Sequence, residues 1–224
     1  MERIIFLWAA LLFTQISWPR DPISDEKVAQ IIDQFQYNST YQEIKSDPIS
    51  GGSCWIYEKD LQTDYPGMVD PLVVNVHLYI PNRDYLGSDQ VPMVIMLPPM
   101  GGVNTLDEFM ADTFCGRDQA AMIVTNDFTG VQSGDVPPVE DHDLAFHRTV
   151  AGIKAAIAFA KDDPNLDHEK VGLFGVSLGA ILGAFAYETQ SQISAAFFIV
   201  GGGDVPYILS HSDNDQVERI RRAR

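Results

Sequence analysis

The sequence predicts a doubly wound α/β domain built on a mostly parallel sheet. Three observations lead to this fold class: short apolar runs that suit buried strands, amphipathic segments that suit helices, and the alternation of the two between residues 71 and 200. The chain has 224 residues, of which 46% are hydrophobic and 21% are charged. This length and composition are sufficient for one domain with a sizeable core.

The individual elements follow from the spacing of the apolar residues. Leu72, Val74, Val76 and Leu78 alternate with more polar neighbours, which predicts a half-buried strand. The continuous apolar run Val91–Leu97 is typical of a strand that is buried on both faces. In chain order, the other predicted elements are a helix at 24–36, a short strand at 54–58, a helix at 105–114, a strand at 120–125, a helix at 143–161, a strand at 170–174, a helix at 177–189 and a strand at 193–200. The rest of 41–66 is mixed and polar.

The first residues predict an export signal. Arg3 precedes an apolar run from Ile4 to Phe13, and a polar stretch follows that run. The run is shorter than the roughly 20 residues that a membrane-spanning helix needs. We therefore expect residues 1–18 to be a signal peptide, residues 19–224 to form the domain, and the protein to be secreted or periplasmic without a membrane span. A retained anchor or a buried helix is the alternative.

The formal net charge of −16 disfavours two classes of partner. Nucleic acids and anionic membrane surfaces carry the same sign of charge and would be repelled. The remaining expectation is a small-molecule or acyl substrate, and the charge does not indicate an oligomeric state.

The chain has two cysteines, Cys54 and Cys115. In an oxidising compartment they could form one disulfide, and two buried thiols are the alternative. Neither cysteine has a metal-ligand spacing to another cysteine or to a histidine, so the sequence predicts no metal site and no cofactor.

The segment Gly175–Gly179 is a G-x-S-x-G pentapeptide. It lies between an apolar strand and an amphipathic helix, which is the context that a nucleophile elbow requires. Such a turn presents a serine at a helix N-terminus, where N–H groups and the helix dipole favour developing negative charge. We therefore predict that Ser177 is a nucleophile. A Gly/Ser-rich turn that arose by chance in another doubly wound domain is the alternative.

A serine nucleophile also needs N–H donors that stabilise an oxyanion. The amide of Leu178 is the first predicted donor, because it follows the nucleophile directly. The second donor is expected in the loop after the strand at 91–97. Pro98 and Pro99 have no N–H, so Met100 supplies the first amide of that loop. A structural turn without a donor role is the alternative reading of the loop.

Residues 91–200 resemble the core of an α/β-hydrolase of the dienelactone-hydrolase and prolyl-oligopeptidase-like kind. The resemblance rests on the elbow segment 165–179, on the loop 96–102 and on the helix before the elbow. It implies the α/β-hydrolase fold and a serine hydrolase that cleaves ester or related acyl bonds through an acyl-enzyme. The chain departs from the family where Pro98 and Pro99 replace the usual His-Gly.

A serine nucleophile needs a histidine base and an acid that orients it. The resemblance implies that both follow two further strands, yet the sequence stops at Arg224, soon after the strand at 193–200. We therefore expect a sheet that lacks its last strands, together with the acid and the histidine. Within the chain, Asp204 with His211 is the alternative pair, and His142 lies in an acidic loop at the same sheet edge. The other histidines are expected away from Ser177: His77 on the wetter face of a strand, His168 in a turn and His147 on the solvent side of a helix.

Two other function classes remain open. A non-catalytic α/β-hydrolase-like fragment or binding domain would not react with a fluorophosphonate at Ser177. A different doubly wound domain, such as a nucleotide binder, is disfavoured because no glycine-rich phosphate-binding signature follows any predicted strand.

Overall fold

A seven-stranded mixed sheet with helices on both faces makes up the part of the chain that the computed structural model describes. The described residues are 25–36, 40–50, 54–65, 70–82, 90–125, 142–202, 211–213, 215 and 218. The helices are α1 (Asp25–Asp33), α2 (Thr105–Cys115), α3 (His142–Asp162) and α4 (Leu178–Thr189). The strands are β1 (Gln42–Ser50), β2 (Cys54–Thr63), β3 (Leu72–Pro81), β4 (Val91–Leu97), β5 (Ala120–Val124), β6 (Leu166–Val176) and β7 (Ile193–Ile199).

The strand order is β1-β2-β3-β5-β4-β6-β7. β4 is parallel to β5 and β6, and β6 is parallel to β7, whereas β1, β2 and β3 join the sheet in antiparallel pairs. The predicted α/β fold class is therefore confirmed. The carboxyl ends of the four parallel strands lie along one edge, which we call the carboxyl edge.

The core lies on both faces of the sheet. On one face, α3 and α4 contribute residues such as Ile153 and Leu182 to a large apolar cluster with β3, β4 and β5. On the other face, α2 packs through Ala111 and Cys115 against a smaller cluster. β4 and β5 are buried from both sides, which explains why Val91–Leu97 reads as a continuous apolar run.

The first two strands differ from the prediction, which placed only a short strand at 54–58. β2 extends to Thr63 and pairs with β1, a strand that was not predicted. Polar contacts connect these two strands: Lys59 Nζ lies 2.7 Å from Glu43 Oε2, and Lys45 Nζ lies 3.2 Å from Glu58 Oε1. Because β1 is an edge strand with little apolar burial, its sequence lacks the alternation that reveals the other strands.

Some parts of the chain lie outside the described residues. They include the predicted signal peptide, residues 1–18, and the loop between β5 and α3. Among the helices that are described, none is long and apolar enough to cross a bilayer.

Cys54 and Cys115 form a disulfide, which decides between the two alternatives left open by the sequence. Their Cα atoms are 6.1 Å apart, and both residues are buried. The bond connects the first residue of β2 to the last residue of α2, so it fixes α2 to the antiparallel part of the sheet.

We expect the double variant Cys54→Ser/Cys115→Ser to lose about 4 kcal/mol of unfolding free energy. The two cysteines are 61 residues apart, and opening this loop increases the conformational freedom of the unfolded chain. Urea unfolding of both proteins under non-reducing conditions measures the difference. Equal unfolding free energies would show that the bond does not stabilise the domain.

Lys154 is a buried cation on α3. Its Nζ donates a hydrogen bond to the backbone oxygen of Phe35, 2.7 Å away, and its side chain is only 6% exposed. Burial disfavours the charged form and lowers the pKa of Lys154 to about 8. This contact attaches the end of α1 to the helical layer.

We expect the unfolding free energy to increase as the pH rises from 8 to 10. In this window the unfolded chain keeps the proton of Lys154, whereas the folded chain has lost it, so raising the pH favours folding. The full shift corresponds to at most about 3 kcal/mol. Urea unfolding at several pH values, compared with Lys154→Met, isolates the effect. Parallel pH profiles for the two proteins would contradict the assignment.

Candidate active site

Ser177 lies in the turn that connects β6 to α4, in the strand–turn–helix context that its pentapeptide predicted. Its backbone has φ 54° and ψ −116°, a conformation that residues other than glycine seldom adopt. Its N–H donates to the backbone oxygen of Ile199 at 2.9 Å, which ties the turn to the end of β7. The side chain is partly exposed and forms no capping hydrogen bond with α4, so the hydroxyl is presented at the carboxyl edge.

The two glycines of the pentapeptide are required by close backbone packing. A Cβ on Gly179 would lie 2.1 Å from the backbone oxygen of Leu97, at the end of β4. A Cβ on Gly175 would lie 2.4 Å from the backbone oxygen of Gly179. Both distances are too short for any side chain. The first turn of α4 is therefore pressed against the end of β4.

The loop after β4 forms a tight turn over residues 99–102. Gly102 N–H donates to Pro99 O at 3.2 Å, and Gly101 has φ 103°, the positive angle that a type II turn requires at its third position. The amide of Gly102 donates the hydrogen bond that closes this turn. Within the described residues, the amides of Met100 and Gly101 form no backbone hydrogen bond.

The turn and the elbow meet at one residue of α3. Met100 and Leu178 both pack against Ala145, which is 3% exposed. The amide of Leu178 is the first N–H of α4, and the first N–H of a helix has no partner within the helix. The structure thus brings together the three residues that the sequence predicted as a site: Ser177, Leu178 and Met100.

A capping box fixes the exit of the loop. Asn104 Oδ1 accepts from the N–H groups of Leu106 and Asp107, and Asp107 Oδ2 accepts from Asn104 N–H at 3.0 Å. Asp107 is 2% exposed, and burial raises the pKa of its carboxyl group. The box holds the start of α2 at the carboxyl edge directly after the turn.

The candidate acid and base residues are not brought to Ser177 by the described geometry. His211 is exposed, while Asp204 and the side chain of His142 lie outside the described residues. His168 is exposed near the start of β6, at the opposite end of that strand from the serine. His77 lies within β3 and pairs in register with Glu58 of β2.

His147 was predicted to face solvent, and this prediction was wrong. Its ring stacks on Phe35 with centroids 4.8 Å apart, and its Nδ1 forms a hydrogen bond with the Tyr65 hydroxyl. The residue is half-buried because the segment after α1 covers this turn of α3. The pattern of one helix could not reveal this cover, since it comes from a distant part of the chain.

Among the described residues, no group of three or more His, Cys, Asp or Glu side chains could hold a metal ion. At the carboxyl edge, the described structure places the Ser177 hydroxyl at the N-terminus of α4. Such an arrangement suits an oxyanion that forms when a serine attacks a carbonyl carbon.

Similar folds occur among solved structures of esterases. An acetyl xylan esterase from Paenibacillus sp. R4 is similar over 96% of this chain and 77% of that chain, with a TM-score of 0.54 and 13% identity. Acetyl xylan esterase 1 from Thermoanaerobacterium sp. JW/SL YS485 is similar over 89% of this chain and 71% of that chain, with a TM-score of 0.54 and 10% identity. The chain has the α/β-hydrolase fold.

A glucuronoyl esterase from Solibacter usitatus has the same fold, with a TM-score of 0.51 and 12% identity over 79% of this chain. The matched region spans 59% of the length of that esterase structure. No protein-family model and no curated protein sequence matches the chain. At these identities the comparisons establish the α/β-hydrolase fold alone.

We expect Gly179→Ala to lower the unfolding free energy by about 3 kcal/mol or more, because its Cβ would overlap the Leu97 carbonyl. The matched control is Gly172→Ala in β6, whose Cβ would have its nearest neighbour at 3.8 Å. This control should change stability by less than about 1 kcal/mol. Thermal and urea unfolding of both variants checks the difference. Equal stability of the two variants would contradict the close approach of α4 and β4.

Proposed function

We propose that the protein is a serine hydrolase that cleaves ester bonds through an acyl-enzyme on Ser177. The observation that carries the proposal is the strained backbone of Ser177 at the N-terminus of α4, which presents a hydroxyl that forms no capping hydrogen bond. The names of the structural neighbours, acetyl xylan esterase and glucuronoyl esterase, support an ester as the substrate class. The reaction needs no metal or other cofactor.

The proposed reaction has two steps. Ser177 Oγ attacks the ester carbonyl carbon while a base removes the hydroxyl proton, and the alcohol leaves with a proton returned by that base. Water then attacks the acyl-enzyme, and the acid product leaves as Ser177 regains its proton. His142 and His211 are the histidines of this chain to test as the base.

The amides of Leu178 and Met100 are the proposed donors to the oxyanion of the tetrahedral intermediate. Leu178 N–H is aligned with the dipole at the start of α4, and Met100 N–H lies in a turn that uses only the amide of Gly102. Donors that are held in place before the reaction do not reorganise as the charge develops, which makes them effective.

One observation favours a second candidate function, a binding domain without turnover. Among the described histidines, His168 lies at the opposite end of β6 from Ser177, and His147 packs against Phe35 and Tyr65. A serine without a base would react slowly even with an intact oxyanion site. The two candidates differ in whether Ser177 reacts with an activated probe.

We also propose that the protein is exported. The apolar run Ile4–Phe13 supports a signal peptide over residues 1–18, and the disulfide Cys54–Cys115 suits an oxidising compartment. Cell fractionation of the full chain, with mass measurement of the N-terminus, tests this. Full-length protein in the cytoplasm with reduced cysteines would refute it.

We expect a fluorophosphonate to label the wild-type protein, and Ser177→Ala to abolish labelling. The hydroxyl that attacks an ester carbonyl also attacks the phosphorus of the probe and displaces fluoride. Intact-protein mass spectrometry measures the adduct, and peptide mapping locates it.

The matched control is Ser194→Ala. Ser194 Oγ donates to Val171 O at 3.0 Å and lies at the start of β7, at the opposite edge from Ser177. This variant should label at the wild-type rate. Absence of labelling in the wild-type protein would support the binding domain instead. If labelling occurs, its loss in His142→Ala or in His211→Ala identifies the base.

A further inference from the structure

Val200 has an unusual combination of exposure and backbone conformation. It directly follows β7 and is 80% exposed, the largest exposure among the large apolar side chains that the structure describes. Its φ is 57°, in the left-handed region. Exposure of a valine to water and a left-handed backbone are each unfavourable, and both occur at one residue.

The backbone angle is notable because valine is β-branched. The other residues that have positive φ without being glycine are Asp118 and Ser177 in the described part of the chain. Aspartate tolerates this region, and Ser177 is the elbow residue, whereas a β-branched residue there is a clear outlier. Strained residues of this kind concentrate at functional sites, where the surrounding structure maintains them.

Val200 lies beside the proposed nucleophile. The N–H of Ser177 donates to the carbonyl of Ile199 at 2.9 Å, and that carbonyl belongs to the peptide bond that leads into Val200. Covalent geometry therefore keeps the Val200 Cα within about 6 Å of the Ser177 nitrogen. A Cβ on Gly201 would lie 2.9 Å from Ala180 Cβ, so the chain after Val200 passes directly against the first turn of α4.

The proposed oxyanion donors and Val200 reach Ser177 from different strands. Met100 follows β4, on one side of β6, and Val200 follows β7, on the other side. An ester whose carbonyl oxygen is held by the amides of Leu178 and Met100 has its other substituents directed away from those amides. Among the described residues, Val200 offers an exposed isopropyl group to such a substituent on the β7 side.

We propose that Val200 is a specificity-determining residue that contacts an alkyl group next to the scissile carbonyl of the substrate. This inference rests on the proposed ester hydrolysis at Ser177 and specifies its substrate class as esters with an apolar group. The alkyl group belongs either to the acyl part or to the alcohol part of the ester, and the same chemistry recognises both. Binding covers the exposed valine and removes it from water.

The test variant is Val200→Asn, with Val73→Asn as the matched control. Asparagine is similar in size to valine, is polar, and adopts positive φ more easily, so it removes the apolar contact without adding strain. Val73 is a valine on β3 that is 51% exposed, and β5 and β4 separate its strand from β6 and Ser177. The measured quantity is the ratio of kcat/KM for a longer and a shorter alkyl substrate.

Two substrate series separate the two sources of the alkyl group. In the acyl series, p-nitrophenyl butyrate is compared with the acetate, and in the alcohol series, butyl acetate is compared with ethyl acetate. We expect Val200→Asn to lower the longer-to-shorter ratio in one series, by up to about fourfold for each methylene that contacts Val200. Val73→Asn should leave both ratios unchanged. Unchanged ratios in both series for Val200→Asn would overturn the inference.

Fluorophosphonate labelling distinguishes failure of this inference from failure of the proposed function. If the wild-type protein does not label, both are wrong. If it labels but short-chain and long-chain alkyl probes react with Val200→Asn in the wild-type ratio, only the role of Val200 is wrong. Thermal unfolding provides an independent check: Val200→Asn should melt at or above the wild-type temperature, and a lower temperature would contradict the strain at φ 57°.

Discussion

The geometry of the proposed active site depends on one close contact, that between the first turn of α4 and the end of β4. Gly179 approaches the Leu97 carbonyl so closely that no side chain fits between them. This contact brings the helix N-terminus to the loop that follows β4, and it leaves a single residue, Ser177, to reverse the chain direction. β6 also ends close to the helix that follows it, since a Cβ on Gly175 would lie 2.4 Å from the Gly179 oxygen. The chain therefore cannot turn gradually between them, and Ser177 adopts a positive φ.

The parallel pairing of β6 and β7 holds this strained turn in place. The hydrogen bond from Ser177 N–H to Ile199 O continues the β6–β7 pairing one residue beyond the strands. Positive φ at a residue other than glycine costs on the order of 1–2 kcal/mol. The buried apolar clusters on both faces of the sheet are large enough to offset this cost, because burial of a single core side chain contributes about 1.5–3 kcal/mol.

Much of the fold could be predicted because its core strands are buried on both faces. Val91–Leu97 and Ala120–Val124 are apolar throughout, and the elbow has a sequence pattern that backbone sterics impose. β1 could not be predicted, since charged pairs such as Lys59–Glu43 connect it to β2 and leave no apolar period. The part of the proposed site that the sequence could predict is the elbow, because close backbone packing there requires glycine on both sides of Ser177. His147 and Val200 acquire their environments from segments far away in the sequence, which no local pattern records.

The position of Ser177 within the sheet explains why its two sides differ. β6 is the second strand from an edge of the described sheet, so β4, α2 and α3 build the side that carries the amides of Met100 and Leu178. In the part of the chain that the structure describes, β7 builds the other side, and its last residues include exposed apolar side chains. Oxyanion stabilisation requires rigid donors. The turn at 99–102 and the packing on Ala145 hold the proposed donors Met100 and Leu178 on the crowded side. Recognition of an alkyl group requires only an accessible apolar surface. The proposed division of the two tasks between β4 and β7 therefore agrees with the strand order.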